Sequence, residues 1–190
     1  ITSLEEAKRL ISVDGTVKWL YQTHDGHHIE TVLIPTNDRF SVCVSTQIGC
    51  AQNCAFCRTA KMGFIRNLEA GEILEEIIRV NWYLEETGTK HSDGSLAKVT
   101  NIIFMGMGEP LNNLEQVHRV CCTLHHQKLF NLGRKRMTIS TSGVVPKIKE
   151  LVDRNTPCCL AVSLNSTNDE RRSAVMPVNK VWNIAKLLEA

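Results

Sequence analysis

Residues 41–57 read Ser-Val-Cys-Val-Ser-Thr-Gln-Ile-Gly-Cys-Ala-Gln-Asn-Cys-Ala-Phe-Cys. The stretch opens as a strand, Ser41–Thr46, in which Val42 and Val44 point one way and Ser41, Cys43 and Ser45 the other. It then enters a loop holding three cysteines. A short strand ending in an unusual segment recurs further on. Val99–Met105 runs into Gly106-Met107-Gly108-Glu109-Pro110, Arg136–Thr141 into Ser142-Gly143, and Cys158–Leu164 into Asn165. Helical periods separate these strands. Glu69–Glu86 places Ile73, Leu74, Ile77, Ile78 and Leu84 on one face, and Leu114–Gln127 does so with Leu114, Val117, Cys121 and Leu124. Pro146–Arg154 has proline in its first turn, Thr87–Lys98 is a polar loop, and Asp169–Ala190 begins a further helical layer. Four strands, each followed by a helix, predict parallel β/α units and an α/β fold.

Small polar residues share one side of these strands. Thr138, Ser140 and Ser142 oppose Met137 and Ile139, and Ala161, Ser163 and Asn165 oppose Leu160, Val162 and Leu164. Helices cover the apolar face of such a sheet. The polar face is therefore expected to line a cavity, with the site at the C-terminal strand ends.

Upstream, residues 3–12 are expected to form a short helix and residues 16–34 a β-hairpin. Its strands are Val17–Tyr21 and His28–Ile34, with Asp25-Gly26 in the turn. His24, His27 and His28 read as a polar, exposed turn, because no local ligand set completes a metal site beside them.

The composition is that of one folded domain: 190 residues, 43% hydrophobic and 22% charged, which excludes wholesale disorder. The longest apolar runs, such as Ile102–Met107, are far shorter than the ~20 residues of a membrane span. The net charge of +2 neither announces nor excludes nucleic acid. Eight cysteines are unusual, but they cluster in a chain that is not short, so a reducing compartment is expected rather than a disulfide framework. The chain opens at Ile1 and ends within the apolar run Ile184–Ala190, and reads as a piece of a longer protein.

Cys50, Cys54 and Cys57 form a C-x3-C-x2-C pattern. Soft thiolates so spaced can share one soft metal centre. Three ligands are one short of a closed structural site. An iron–sulfur cubane held this way keeps one iron open for an exogenous ligand. The alternative is a zinc loop whose fourth ligand comes from elsewhere.

With Phe56 before the last cysteine, the triplet resembles the radical S-adenosylmethionine signature. Val42–Phe64, the Gly-Met-Gly-Glu-Pro segment, Thr138–Pro146 and Ala161–Asn168 together resemble the family that methylates carbon 2 of adenosine in 23S ribosomal RNA and transfer RNA. A close relative of that family methylates carbon 8. The resemblance implies a partial parallel (β/α) barrel over residues 36–190, truncated at its C-terminus, preceded by a helix-and-hairpin extension over residues 1–35. It implies a 4Fe-4S cluster on Cys50, Cys54 and Cys57, whose open iron chelates S-adenosyl-L-methionine and delivers the electron that makes a deoxyadenosyl radical. Gly108, Glu109, Ser140, Ser163, Leu164 and Asn165 match cofactor-binding positions, with Asn165 standing where histidine is common. Cys43, seven residues before Cys50, matches a catalytic thiol that resolves a protein–RNA adduct, and Glu30 matches a proton acceptor. Read alone, Cys43 is a buried apolar cysteine and Glu30 a charged strand residue.

The family also carries a methyl group on a cysteine late in the chain. No cysteine follows Cys159, so the 190-residue piece alone is expected to be inactive. The implied partners are RNA and an electron donor such as a flavodoxin or ferredoxin, with no membrane and no DNA. The implied location is the cytoplasm, or a plastid or mitochondrion if a transit peptide has been removed. Arg134-Lys135-Arg136 and Arg171-Arg172 are either phosphate contacts or a solvated basic face. Cys121, on an apolar helix face, reads as core, while Cys122, Cys158 and Cys159 match no motif.

Overall fold

The structure, a computed structural model, describes residues 3–190. Four antiparallel strands come first: β1 (Leu4–Ile11), β2 (Val17–Thr23), β3 (His28–Thr36) and β4 (Arg39–Cys43). A two-stranded unit, β5 (Gln47–Gly49) and β6 (Phe64–Asn67), precedes helix α1 (Ala70–Glu86). Then strands and helices alternate: β7 (Asn101–Phe104), α2 (Leu114–His125), β8 (Met137–Thr141), α3 (Val145–Asp153), β9 (Cys159–Val162), α4 (Asp169–Val175) and α5 (Ile184–Glu189).

Seven strands form one sheet in the order β1-β2-β3-β4-β7-β8-β9. The last four are parallel, and each of β7, β8 and β9 lies beside the strand of this sheet that precedes it in the chain. That running order is the order of a (β/α) barrel, whereas a doubly wound sheet reverses direction from its first strand. The α/β class, the parallel units and the preceding hairpin all follow the expectation. No helix among the described residues is long and apolar enough to cross a membrane.

The alternation in the strands explains the layering. Val42, Ile102, Phe104, Met137 and Ile139 are fully buried and share one core with Ile73, Ile77 and Val80 of α1, Val117 and Leu124 of α2, and Ile148 of α3. Each such side chain contributes about 1.5–3 kcal/mol on burial. The opposite face keeps Ser41, Cys43, Thr138 and Ser140 half-buried. α1 begins where Glu72 reaches back to accept from the Glu69 backbone N–H at 2.9 Å.

Two expectations need correction. Residues 4–11 are a strand, not a helix. They pair with β2 from Leu4↔Thr23 to Ile11↔Val17, with a register shift between Glu6 and Lys8. Leu, Glu, Ala, Lys and Arg favour a helix, but so short a helix is marginal on its own. The open edge of β2 offers a ladder instead, and Glu75 of α1 fixes the strand's start by accepting from the Ser3 and Leu4 N–H groups. The helical cover of the sheet is also incomplete at β9, where Leu160 and Val162 are each 40% exposed.

Candidate active site

The cysteine loop is closed at its base. β5 and β6 pair from Gln47↔Asn67 to Gly49↔Phe64, and the Cys50 N–H donates to the Gly63 carbonyl at 2.9 Å. Glycine is required at the entry: Gly49 has φ +73°, and a Cβ there would lie 1.7 Å from the Gly63 oxygen. The Gly108-Glu109 turn after β7 docks on the same base. Gly108 has φ +104°, and a Cβ would meet the Gln47 side chain at 2.6 Å. Gln47 accepts from the Glu109 N–H at 2.8 Å and donates to Asn67 Oδ1 at 2.7 Å, so one side chain joins the two loops.

Glu109 is buried and held on both oxygens. Oε1 accepts from the Leu111 N–H at 3.1 Å, and Oε2 accepts from the Ser142 N–H and hydroxyl at 2.8 and 2.7 Å. A charged acceptor so fixed is rigidly aimed.

Cys50, Cys54, Cys57, Gly108, Glu109, Ser140 and Ser163 line one cavity of about 290 Å³ at the C-terminal strand ends. Ser140 Oγ and Ser163 Oγ lie 3.4 Å apart across β8 and the end of β9. Leu164 and Asn165 are not in its wall. Leu164 turns its carbonyl to Arg172, and Asn165, at φ +56°, directs Nδ2 at the Met176 sulfur. A larger cavity, about 420 Å³, lies between β1, β2 and α1. Its wall of Arg9, Trp19, Tyr21, Arg79 and Tyr83 carries no thiol, whereas the smaller cavity gathers Cys50, Cys54 and Cys57.

Cys43 and Glu30 share the polar face of the sheet. Cys43 faces Val32 across β3, and Glu30 is two residues along from Val32. Burial, reinforced by the Glu76 and Glu30 carboxyls, pushes the Cys43 thiol up to about 11, against a hydrogen bond from the Met105 backbone. Met105 in turn lines the cysteine cavity. Glu30 is half-exposed and pairs with Lys18 at 2.6 Å.

Burial likewise pushes the Cys50 thiol up to about 11 and raises Cys54. A metal-bound thiolate reverses that preference. Cys50, Cys54 and Cys57 are free thiols on the wall of one cavity, soft donors of the kind that hold an iron–sulfur cluster.

The two basic groups divide. Arg134, Lys135 and Arg136 precede β8, at the strand end away from the cavity, and Arg134 and Arg136 are engaged by Asn155, Thr156 and Asn101. Arg171 is exposed, but Arg172 is fully enclosed and belongs to the interior. Sequence reasoning missed that role. No sequence signal marked it, since Met176, four residues on, lies past the end of α4.

The Radical SAM superfamily profile matches residues 44–190. The chain is 45% identical over all 190 residues to the dual-specificity RNA methyltransferase RlmN of Anaeromyxobacter sp. (strain Fw109-5), covering 49% of that protein. It is 45% identical over 188 residues to the RlmN of Marinomonas sp. (strain MWYL1), with 98% of this chain and 49% of that protein covered. The crystal structure of a radical SAM methyltransferase from Sphaerobacter thermophilus superposes with a TM-score of 0.91 at 42% identity, over 100% of this chain and 53% of that one. The chain thus spans about half the length of the curated relatives it matches. With a profile match that begins at β4's end and takes in the cysteine loop, the Gly108-Glu109 turn and the ends of β8 and β9, the chain belongs to the radical SAM superfamily.

Proposed function

We propose that the protein carrying this chain is a radical S-adenosylmethionine methyltransferase of RNA, acting on carbon 2 of adenosine in 23S rRNA and tRNA. The observation that carries the reading is the single cavity into which Cys50, Cys54, Cys57, Glu109, Ser140 and Ser163 converge from four separate segments. The RNA methyltransferase names of the relatives support it.

In this reading Cys50, Cys54 and Cys57 hold the 4Fe-4S cluster. When bound, the cluster supplies the electron that cleaves S-adenosylmethionine. The protein's part is placement and proton control. Glu109, fixed from Leu111 and Ser142, presents negative charge to the cofactor's ammonium, and Gly108 lets the turn approach. The Ser140 and Ser163 hydroxyls hydrogen-bond polar groups of the cofactor, while Leu164 and Asn165, outside the cavity wall, fix the strand end through Arg172 and Met176. Glu30 accepts the proton lost from the adenine ring. Cys43 resolves the protein–RNA adduct, and burial keeps its thiol neutral until the substrate arrives. The target adenosine must be unstacked or in a loop to reach this cavity. A flavodoxin or ferredoxin supplies the electron.

The test is nucleoside analysis by mass spectrometry after the protein has met S-adenosylmethionine, a reductant and 23S rRNA or tRNA. The expected product is 2-methyladenosine, lost in Cys50→Ala. 8-Methyladenosine, or methylation retained in Cys50→Ala, overturns the proposal.

A further inference from the structure

Arg172 is, after Trp19, the largest side chain with essentially no exposed surface. All its hydrogen-bond acceptors are neutral. Nε donates to the Leu164 carbonyl at 3.0 Å, Nη1 to Asn179 Oδ1 at 2.7 Å, and Nη2 to the Ser142 and Ser163 carbonyls at 2.6 and 3.4 Å. No carboxylate among the described residues forms an ion pair with it. Asp169 acts on it by charge without touching it, and Asn179 bridges the two, donating to Asp169 Oδ1 at 2.9 Å while accepting from Arg172. A buried cation without a counter-ion is costly, so its retention calls for a reason.

Its position supplies one. The three backbone acceptors come from the ends of β8 and β9, at the cavity. Ser142 binds Arg172 through its carbonyl and Glu109 through its N–H and hydroxyl. α4, which carries Arg172, lies beneath the cysteine loop: the Ala55 N–H donates to the Val175 carbonyl at 2.9 Å, and Cys54 packs on Met176 and Val178. Three thiolates on a doubly charged 4Fe-4S core leave one net negative charge, and one-electron reduction adds another. A nearby buried cation favours that extra negative charge.

We propose that Arg172 is a positioning residue that locks the ends of β8 and β9 to α4 beneath Cys54, and that its unpaired charge raises the potential at which the cluster takes up its electron. The inference rests on the cluster reading above. The experiment is an EPR-monitored redox titration with dithionite and mediator dyes on the reconstituted protein, after assay of iron and sulfide. Arg172→Gln should make the one-electron equilibrium at least tenfold less favourable, a shift of about 59 mV to more negative potential. Asn179→Asp, made together with Asp169→Asn so that no two carboxylates meet, keeps Arg172 and its carbonyl bonds but sets an anion against Nη1, and should shift the midpoint the same way. Arg172→Lys keeps the charge and should stay near the parent value. Thermal melts report which variants fold; if Arg172→Gln does not, Asn179→Asp with Asp169→Asn decides. Loaded variants with the parent midpoint overturn the inference alone. A parent protein that takes up no cluster overturns both the inference and the function it rests on.

Discussion

Glu76 is a carboxyl that α1 buries completely, and it gives the sharpest quantitative expectation. Oε2 accepts from the Thr31 hydroxyl and from the Ser45 N–H at 3.0 Å, while Oε1 has no partner. No cation among the described residues pairs with it, and burial holds its pKa well above the usual carboxylate range. The folded protein therefore keeps a proton that the unfolded chain releases above about pH 4.3. Its contribution is fullest below that pH and is lost as pH rises toward the folded pKa. The loss amounts to about 1.4 kcal/mol per pH unit while Glu76 stays protonated. Glu76→Gln removes the titration and keeps an oxygen for Thr31 and Ser45. Its new amide N–H, left without an acceptor, costs about 1–3 kcal/mol, independent of pH. Urea unfolding of the metal-free protein at pH 5, 6 and 7, under anaerobic reducing conditions, should show the variant gaining on the parent as pH rises, by at most about 1.4 kcal/mol per pH unit. Groups common to both proteins cancel in that difference. Parallel stability curves would refute the buried, protonated carboxyl.

Three further outcomes follow from the site and its surroundings. Ala at Cys50, Cys54 or Cys57 should each reduce iron and sulfide to background after reconstitution, while Ala at Cys122, outside the cavity, should leave them unchanged. Cys43, its thiol pushed up to about 11, should react with iodoacetamide at pH 8 about two orders of magnitude more slowly than an ordinary thiol; peptide mass spectrometry reads the rate. Arg66 and then Thr23 hold the Asp25 carboxyl below its usual range. That stabilisation is present at neutral pH and is lost as pH falls from about 4, so Asp25→Asn should flatten the acid limb of melting temperature against pH.

The parallel half of the fold was legible because each β/α unit writes its own period. Val42, Ile102, Phe104, Met137 and Ile139 face helices, and the sequence marks them by alternation. The strand ends were legible for the same reason: polar and glycine residues stand where burial would demand apolar ones. Leu4–Ile11 misled because local propensity points to a helix while the pairing that decides its state is supplied by β2 and Glu75. Arg172 and Glu76 were illegible for a deeper reason. A charged residue inside a helical segment looks the same in sequence whether it meets water or three backbone carbonyls from other strands. Only tertiary structure shows that Ser142, Ser163 and Leu164 converge on one guanidinium. The Gln47 bridge between the two loops is hidden likewise, since its partners lie 20 and 62 residues away.

The central claim is that three thiols of one loop hold a cluster with an open iron. EPR of the anaerobically reconstituted, reduced protein, recorded with and without S-adenosylmethionine, tests it most directly. The account predicts a 4Fe-4S signal that changes when the cofactor is added and disappears in Cys50→Ala. A folded protein that binds zinc instead, or a cluster whose signal is indifferent to S-adenosylmethionine, would contradict it.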